Sequence, residues 1–277
     1  MRRKSLAGPE TVLETRNPSR EACPAGLLII NADDWGRDHE TTDRTLECIR
    51  RGAVSSVSAM VFMGDSDRAA AIAQEHGIDA GLHLNFTAPF SAPSTPTKLV
   101  ERQQRLAKCL NRHSLAQAVF YPTLMRPFEY VVSAQIEEFC RLYGRAPQRL
   151  DGHHHMHLCA NVLLAGLLPP GTIVRRNFSF RPGEKSLGNR LYRQVIDRIL
   201  ARRHRLTDYF FSLPPVDSPE HLRRICSLAR EFVVEMETHP VNPEEYCFLT
   251  RGEILRWSGD CAIATRFAET SNGNAQG

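Results

Sequence analysis

Two adjacent aspartates follow the first apolar run of the chain. Residues 27–30 are all apolar, and Asn31, Ala32, Asp33 and Asp34 come directly after them. Neighbouring carboxylates at the end of a buried strand repel each other and lose hydration unless a cation or a proton shares them. The pair is therefore a candidate for metal binding or acid–base catalysis. The alternative is a turn or a helix cap, for which aspartate is also suited.

Histidines stand at two further points where apolar runs end. His83 follows residues 80–82, and residues 153–157 contain four histidines, preceded by Asp151. If residues 148–157 form a strand, successive histidines point to opposite faces, so at most one or two of them reach a single metal ion. The alternatives are a hydrogen-bonded core histidine for His83 and a polar loop for the histidine run.

An aspartate and two histidines from three strand ends suit one divalent metal ion with open positions for water and substrate. Such an ion lowers the pKa of water and polarises an amide carbonyl, which are the two requirements of amide hydrolysis. A carboxylate that does not bind the metal can accept the proton of the water. His239 follows the last strong strand, where it is placed to protonate the leaving amine. Its alternative role is to complete the turn before Pro240.

The elements that must position these residues alternate between strand and helix. This order predicts an α/β fold with a parallel sheet, either a barrel or an open doubly wound sheet, with its active site where strands end. A long surface excursion rich in Pro, Ser and Thr is predicted over residues 87–127. The predicted strands span residues 27–30, 54–63, 78–85, 148–157, 172–176, 206–212 and 232–237, and the predicted helices include 66–75, 132–143 and one capped by Ser218.

The composition is that of an ordinary globular protein of 277 residues, with 42% hydrophobic and 24% charged residues. We expect a flexible leader over residues 1–25, one folded domain over 26–260 and a polar tail over 261–277. Eight singly dispersed cysteines and the lack of a long apolar run lead us to expect a cytoplasmic protein without a membrane span. The net charge of +4 does not require a nucleic-acid partner. A homodimer is left open.

One segment, residues 175–205, concentrates arginine and also carries an apolar stripe at helical spacing. The stripe consists of Leu187, Leu191, Val195 and Ile199. A basic amphipathic helix can lie on a membrane surface or contact phosphates. The simpler interpretation is a barrel helix with a solvated basic face, and peripheral contact with a membrane is left open.

Five motifs, in their order and spacing, resemble the YdjC-like carbohydrate deacetylases. That family includes the chitooligosaccharide deacetylases and a hopanoid-associated branch. The resemblance covers roughly residues 27–245, and its specificity comes from the conjunction of the motifs. They occupy residues 30–36, 81–85, 143–147, 150–157 and 237–240.

The resemblance implies a (β/α) barrel-like fold related to polysaccharide deacetylases, with residues 26–260 as the catalytic domain. It implies one divalent metal ion, Mg²⁺ or Zn²⁺, and removal of an acetyl group from an N-acetylated sugar. The implied metal ligands are Asp34, His83 and His153. Asp33 is implied as the catalytic base and His239 as the general acid.

The resemblance also implies residues that contact the sugar. Trp35 stands where the family usually has Phe, and Arg175 is expected either to contact substrate or to steady a carboxylate. The full set of expected substrate contacts is Trp35, Asn85, Asp151, His155 and Arg175.

Two other functions are compatible with these residues. An Asp/His metal cluster can also hydrolyse a phosphoester, although two-metal sites usually need more bridging carboxylates than this sequence offers. A sugar-binding module without catalysis could retain the same fold. Retention of Asp33 and His239 argues against that module, because binding alone needs neither a base nor an acid. The substrate is expected to be an oligosaccharide or a lipid- or nucleotide-linked acetamido sugar.

Overall fold

Seven parallel strands form one curled sheet in the computed structural model, which describes residues 26–112, 115–259 and 261–267. The strand order is β5-β4-β3-β2-β1-β7-β6. This arrangement confirms the predicted α/β barrel-like fold. The predicted leader over residues 1–25 lies outside the described residues. The strands are β1 (Leu27–Trp35), β2 (Ser56–Ala59), β3 (Ala80–Leu84), β4 (Arg149–Gly152), β5 (Ile173–Val174), β6 (Tyr209–Ser212) and β7 (Val233–Thr238).

Helices follow most of the strands and cover the outside of the sheet. No helix of the described residues is both long enough and apolar enough to cross a membrane. The helices are α1 (His39–Arg50), α2 (Ser66–His76), α3 (Thr97–Leu110), α4 (Met125–Tyr143), α5 (Ala160–Leu164), α6 (Leu187–Ala201), α7 (Pro219–Leu228), α8 (Pro243–Thr250) and α9 (Glu253–Ser258).

Local sequence explains where several of these helices begin and end. The Asp38 side chain accepts a hydrogen bond from the Thr41 backbone N–H and so caps α1. Ser218 caps α7 in the same way, as predicted, with Pro219 in the first turn. Gly144 takes a left-handed conformation at φ 67° and ends α4.

The sheet curls until its two edge strands, β5 and β6, approach each other. They do not pair along their length, so the barrel is incomplete. Near this gap, an isolated parallel bridge joins Ile173 of β5 to Arg205, just before β6. Beyond β5, the Ser179 N–H donates to the Phe210 carbonyl of β6. Because all seven strands are parallel, their carboxyl ends face one end of the barrel, where an active site is expected.

The predicted strand over residues 148–157 is wrong in its second half. β4 ends at Gly152, and residues His153–Leu158 form a turn of 3₁₀ type that we call the histidine turn. Within it, His154 and His155 both have positive φ, at 53° and 56°. The strand pattern fails because consecutive left-handed residues reverse the chain direction. The basic stretch within the predicted excursion over residues 87–127 forms the helix α3.

The apolar stripe of α6 does not face the barrel as the simpler interpretation required. Leu187, Leu191 and Val195 are 68%, 51% and 51% exposed, whereas Ile196 and Leu200 are buried. The helix therefore packs through a face rotated from the predicted stripe. An apolar strip flanked by arginines remains on its outer surface.

The predicted start of the polar tail at residue 261 falls inside a packed segment. The Leu28 N–H donates to the Ala262 carbonyl, and the Ala264 N–H donates to the Leu28 carbonyl. Phe267 is 2% exposed and packs in a cluster with Ile29 and Ile173. Residues 261–267 therefore close the amino-terminal end of the barrel, opposite the expected active site. The rest of the predicted tail lies outside the described residues.

Candidate metal centre and adjoining cleft

A bulge in β1 turns two successive aspartates into the same end of the barrel. Side chains of a regular strand alternate between faces, so neighbouring carboxylates would normally point apart. Between Ala32 and Trp35 the pairing of β1 with β2 shifts register, and Asp34 has a φ of 64°. An extra residue and a left-handed conformation are features of β-bulges, which often re-aim side chains near active sites. Asp33 and Asp34 are each only 2% exposed as a result.

The three predicted metal ligands come together at this bulge. One oxygen or nitrogen atom of each of Asp34, His83 and His153 lies within 4.8 Å of the other two. His153 Nδ1 is 2.9 Å from Asp34 Oδ1, and His83 Nε2 is 3.4 Å from the same oxygen. One oxygen and two imidazole nitrogens form a donor set suited to a divalent cation with positions left for water and substrate.

The orientation of His83 fits a metal ligand. Its Nδ1 is 2.8 Å from Asp151 Oδ1, while its Nε2 is buried and has no hydrogen-bond partner. A histidine that donates Nδ1–H to a carboxylate presents the Nε2 lone pair to a metal ion, and such carboxylate–histidine pairs support many metal sites. The unpaired buried nitrogen therefore marks the position at which a cation would be held.

The electrostatics of the centre favour positive charge. Burial lowers the pKa of His83, but the charges of Asp33 and Asp151 outweigh burial and raise that pKa to about 10. Burial raises the pKa of Asp34, yet the hydrogen bond with His153 and the charge of His83 hold that pKa below its usual range. The carboxylates around His83 therefore supply the negative charge that a divalent cation requires.

The Arg175 guanidinium binds both oxygens of the Asp33 carboxylate. Arg175 Nη1 donates to Asp33 Oδ2 at 2.6 Å, and Nη2 donates to Oδ1 at 2.7 Å. Asn31 Nδ2 also donates to Oδ1, at 2.8 Å. Oδ1 therefore accepts two hydrogen bonds, whereas Oδ2 accepts one and lies 4.0 Å from His83 Nε2. Since a carboxylate oxygen has two lone pairs, Oδ2 keeps one that can accept a proton beside the metal centre.

The same guanidinium organises three more acids. Arg175 Nη2 lies 3.0 Å from Asp151, Nε donates to Glu235 at 2.8 Å, and Nη1 donates to Glu237 at 3.3 Å. Burial raises the pKa of both glutamates, that of Glu237 well above its ordinary value. For Asp33, burial acts in the same direction but the charges of Arg175 and His83 prevail, so its pKa is lowered.

Sequence reasoning missed Glu235 and Glu237. Both lie on β7, two residues apart, so their side chains share the face that points into the barrel. The signal was present, because two acidic residues at period two in an otherwise apolar strand are unusual in a buried element.

The histidine turn sends its side chains in four directions, which corrects the predicted alternation. His153 reaches Asp34, while His154 is exposed and its Nδ1 lies 3.1 Å from Thr87 Oγ1. His155 Nε2 lies 3.7 Å from Glu237, and His157 Nε2 is 2.9 Å from the Arg175 carbonyl. Only one histidine of the run belongs to the metal group, in keeping with the expected limit of one or two.

Four of the five expected substrate contacts are buried and engaged with other protein groups, and their contact with substrate stays a prediction. Trp35 is fully buried and donates to the Ala69 carbonyl at 3.2 Å. Asn85 is also buried, and its side chain binds backbone atoms of the following loop. Asp151 lies 2.8 Å from His83 Nδ1. Arg175 pairs with the surrounding acids, which agrees with its other expected role of steadying a carboxylate.

His155 is the expected substrate contact that does reach an opening. It lies with His154 in the wall of a cleft of about 530 Å³. The metal group itself does not line this cleft, but the His154 ring is only 4.0 Å from the ring of His153. The cleft therefore adjoins the metal group through His154 without including it. Its other walls include Phe178, Asn177, Asn189, Tyr192 and Arg193.

His239, the expected acid, lies directly beyond β7 on the strand next to the bulge. The pairing of β1 with β7 places Ala32 opposite Thr238, so Asp33 and His239 leave the sheet side by side. The backbone N–H of His239 donates to Glu245 at 2.8 Å, which fixes the turn, and the residue is partly exposed. The turn role and a catalytic role are therefore compatible.

Comparison with known proteins gives two relatives with the same described activity. A chitooligosaccharide deacetylase of Serratia marcescens is 33% identical over 133 residues, which are 48% of this chain and 51% of that protein. A chitooligosaccharide deacetylase of Proteus mirabilis strain HI4320 is 32% identical over 134 residues, with coverage of 48% and 51%. The chain spans about half the length of the curated relatives it matches.

The fold has a counterpart of known structure and the sequence matches a family profile. A protein of Enterococcus faecalis V583, provisionally assigned to cellobiose-phosphate cleavage, superposes with a TM-score of 0.61 at 19% identity. That match covers 89% of this chain and 98% of the other, and it establishes a shared fold alone. The profile of the YdjC-like proteins matches residues 27–263. The chain therefore belongs to the YdjC-like protein family.

Proposed function

We propose that this protein is a metal-dependent hydrolase that removes the N-acetyl group from an acetamido sugar. The observation that carries the proposal is the buried, unpaired Nε2 of His83, which faces Asp34 beside the free lone pair of Asp33. The activity described for the Serratia and Proteus relatives supports the choice of substrate class.

Asp34, His83 and His153 would hold one divalent cation, with Mg²⁺ or Zn²⁺ as the candidates. When bound, the cation would polarise the amide carbonyl and make water more acidic. Asp151 keeps His83 in the tautomer that exposes Nε2, through the 2.8 Å contact to Nδ1. Arg37 donates to Asp34 Oδ2 at 3.1 Å and directs the other oxygen, Oδ1, toward the two histidines.

Asp33 would accept the proton of the attacking water through Oδ2. Arg175 keeps the carboxylate ionised and immobile, so it is ready to accept a proton at neutral pH. His239, next to Asp33 at the adjoining strand end, would donate a proton to the departing amine. The two groups lie on neighbouring strands, so they could serve the two proton transfers of one hydrolysis.

The test is acetate release from N-acetylglucosamine oligomers and linked acetamido sugars, with Mg²⁺, Zn²⁺ or chelator added. Asp33→Asn should lower kcat by at least about 100-fold, since loss of a general base costs roughly 10²–10⁴, while metal content stays near that of the wild type. His153→Ala should lose the metal. Asp217→Asn and His76→Ala change exposed residues of the same types and serve as controls.

The alternatives give different results in the same assay. Hydrolysis of a generic phosphoester without acetate release would indicate a phosphoesterase instead. Metal-dependent sugar binding without turnover, in folded and metal-loaded protein, would indicate a binding module. Full activity of Asp33→Asn would remove the assignment of Asp33 as the base.

A further inference from the structure

Exposed apolar side chains are concentrated in two segments of the surface. Of the ten large hydrophobic side chains that are exposed in the described part of the chain, seven lie in residues 115–120 and in α6. The first group is Leu115, Val119 and Phe120, and the second is Leu187, Leu191, Tyr192 and Val195. A contiguous group of exposed apolar side chains marks an interaction surface, whereas single ones need no explanation.

The two segments meet at the mouth of the cleft. Leu115 and Ala118 line the cleft from the first segment, and Asn189 and Tyr192 line it from α6. The seven exposed side chains therefore belong to one side of the molecule. We call residues 115–120 together with the outward side of α6 the apolar rim.

The outward side of α6 changes from apolar to basic along the helix. Leu187, Leu191 and Val195 are four residues apart, so they lie on one face. Arg198 and Arg202 continue this face at the next two turns, and both are exposed. Within the described residues, neither arginine forms an ion pair.

The acid that α6 carries does not neutralise these arginines. Asp197 Oδ2 pairs with Arg176 at 2.9 Å, and its Oδ1 accepts from the Asn177 backbone N–H at 3.0 Å. Both partners precede α6 in the chain. The positive charge of the last turns of α6 therefore remains available to an external anion.

The other segment of the apolar rim is also bordered by cations. α3 packs against residues 116–118, and its last two turns carry Arg105 and Lys108, with Arg112 directly after the helix. All three are exposed, and in the part of the chain that the structure describes none of them pairs with a carboxylate. Both sides of the apolar rim are thus basic.

The arginines of other helices are neutralised. Arg44 of α1 pairs with Glu40 at 2.6 Å, and Arg141 of α4 pairs with Glu138 at 2.7 Å and with Asp67 at 3.0 Å. Paired arginines of this kind suit a surface that faces only water. The apolar rim combines the opposite features, namely unpaired cations and exposed aliphatic and aromatic groups.

We infer that the apolar rim and the cations beside it dock on a bilayer that contains anionic lipids. Leucine, valine and phenylalanine side chains enter the boundary between headgroups and acyl chains, while arginine and lysine stay with the headgroup phosphates. Each cation near such a surface adds to the attraction. Docking in this way places the mouth of the cleft at the lipid surface, and it gives a partner to the peripheral membrane contact that the sequence left open.

Two other occupants fit the surface less well. A nucleic acid would pair with the cations, but its phosphates would leave Leu187 and Leu191 without an apolar partner. A second copy of the chain would bring the same positive charge to the contact, and like charges across an interface oppose association. Only an anionic bilayer supplies both negative charge and apolar volume.

Flotation of the full chain with vesicles tests the inference. The wild type should bind vesicles of phosphatidylcholine and phosphatidylglycerol in equal parts, bind pure phosphatidylcholine far less, and lose binding as salt screens the charges. Arg198→Gln combined with Arg202→Gln should lower the partition coefficient roughly 30-fold. Leu191→Ser combined with Val195→Ser should lower it at least about tenfold, because less apolar area enters the bilayer.

Matched control variants come from exposed residues outside the apolar rim. Arg251→Gln combined with Arg256→Gln removes the same charge, and Leu255→Ser changes an exposed leucine of α9. Both controls should partition like the wild type. Urea unfolding checks that every variant is folded, which is expected because all the altered side chains are exposed. If the Leu191 and Val195 variant does not fold, the arginine variant and the salt dependence decide.

Several results would overturn the inference. They are absence of binding to the anionic vesicles, equal binding to the neutral ones, and unchanged binding in both rim variants. Stronger binding of duplex DNA than of vesicles, lost in the arginine variant, would assign the surface to nucleic acid instead. A dimer in sedimentation velocity that Leu191→Ser and Val195→Ser dissociate would assign it to a second copy. None of these measurements uses acetate release, so their outcome is independent of the proposed function.

Discussion

Replacing Arg175 with methionine should destabilise the protein more than any exposed arginine substitution. The guanidinium is 2% exposed and contacts four carboxylates, at 2.6 Å from Asp33 and 2.8 Å from Glu235 at the closest. Methionine fills a similar volume but leaves these acids without their shared cation. Removing one partner of a buried ion pair costs about 3–5 kcal/mol, and several acids are affected here. We therefore expect a loss of about 4 kcal/mol in the free energy of unfolding.

Urea unfolding at neutral pH measures this loss, and Arg198→Met provides the exposed control, expected within about 0.5 kcal/mol of the wild type. Asp33 has a lowered folded-state pKa, so its contribution to stability is present above the ordinary pKa of 3.8 and is lost as the pH falls. Without Arg175 that contribution disappears. The difference in the free energy of unfolding between the variant and the wild type should therefore narrow as the pH falls below about 4. A loss below about 1 kcal/mol, or a gap independent of pH, would refute the electrostatic reasoning.

Three further substitutions test the surroundings of the centre. Burial lowers the pKa of His157 to about 4, so its contribution to stability is complete above pH 6.5 and is lost as the pH falls to about 4. His157→Asn should therefore reduce the drop in the free energy of unfolding over this pH range by up to about 3 kcal/mol, as measured by urea unfolding. Glu237 has a raised pKa, so its contribution is lost as the pH rises through the folded-state value. Glu237→Gln, which mimics the protonated form, should flatten the decline of Tm as the pH rises above 4.5, and an unchanged decline would contradict this. Asp151→Asn should weaken Zn²⁺ binding about 10- to 100-fold by calorimetry, because His83 loses its anionic partner; undiminished affinity would exclude this role.

The parts of the site that could be predicted are those at the ends of apolar runs. Asp33, Asp34 and His83 follow such runs directly, and parallel strands bring their carboxyl ends to one edge of the sheet. The three proposed ligands are accordingly found within 4.8 Å of one another. The alternation of strands and helices was likewise sufficient to predict a parallel sheet, and the family resemblance specified its barrel-like form.

The parts that could not be predicted depend on backbone conformations without a period. The bulge at Asp34 and the left-handed pair His154 and His155 depend on positive φ angles, which are uncommon for residues other than glycine. Nothing local in the sequence distinguishes such residues from those of a continuing strand. The role of Arg175 stayed open between substrate and carboxylate for a related reason, since the acids that surround it come from distant segments.

The face of α6 was mispredicted because its two apolar stripes overlap. Leu191 and Val195 have the spacing of a buried face, yet Ile196 and Leu200 are the residues that pack inward. Helical periodicity identifies an apolar side but does not say which of two neighbouring stripes meets the sheet.

The closure of the barrel by residues 261–267 has a consequence for anyone shortening this chain. The Phe267 ring lies 4.7 Å from the Arg149 guanidinium, which in turn lies 3.3 Å from Asp151, the partner of His83. An expression boundary placed at residue 260 would appear to trim only a polar end. It would instead open the floor beneath Arg149 to water, and the effect would reach the candidate metal centre from the opposite end of the barrel.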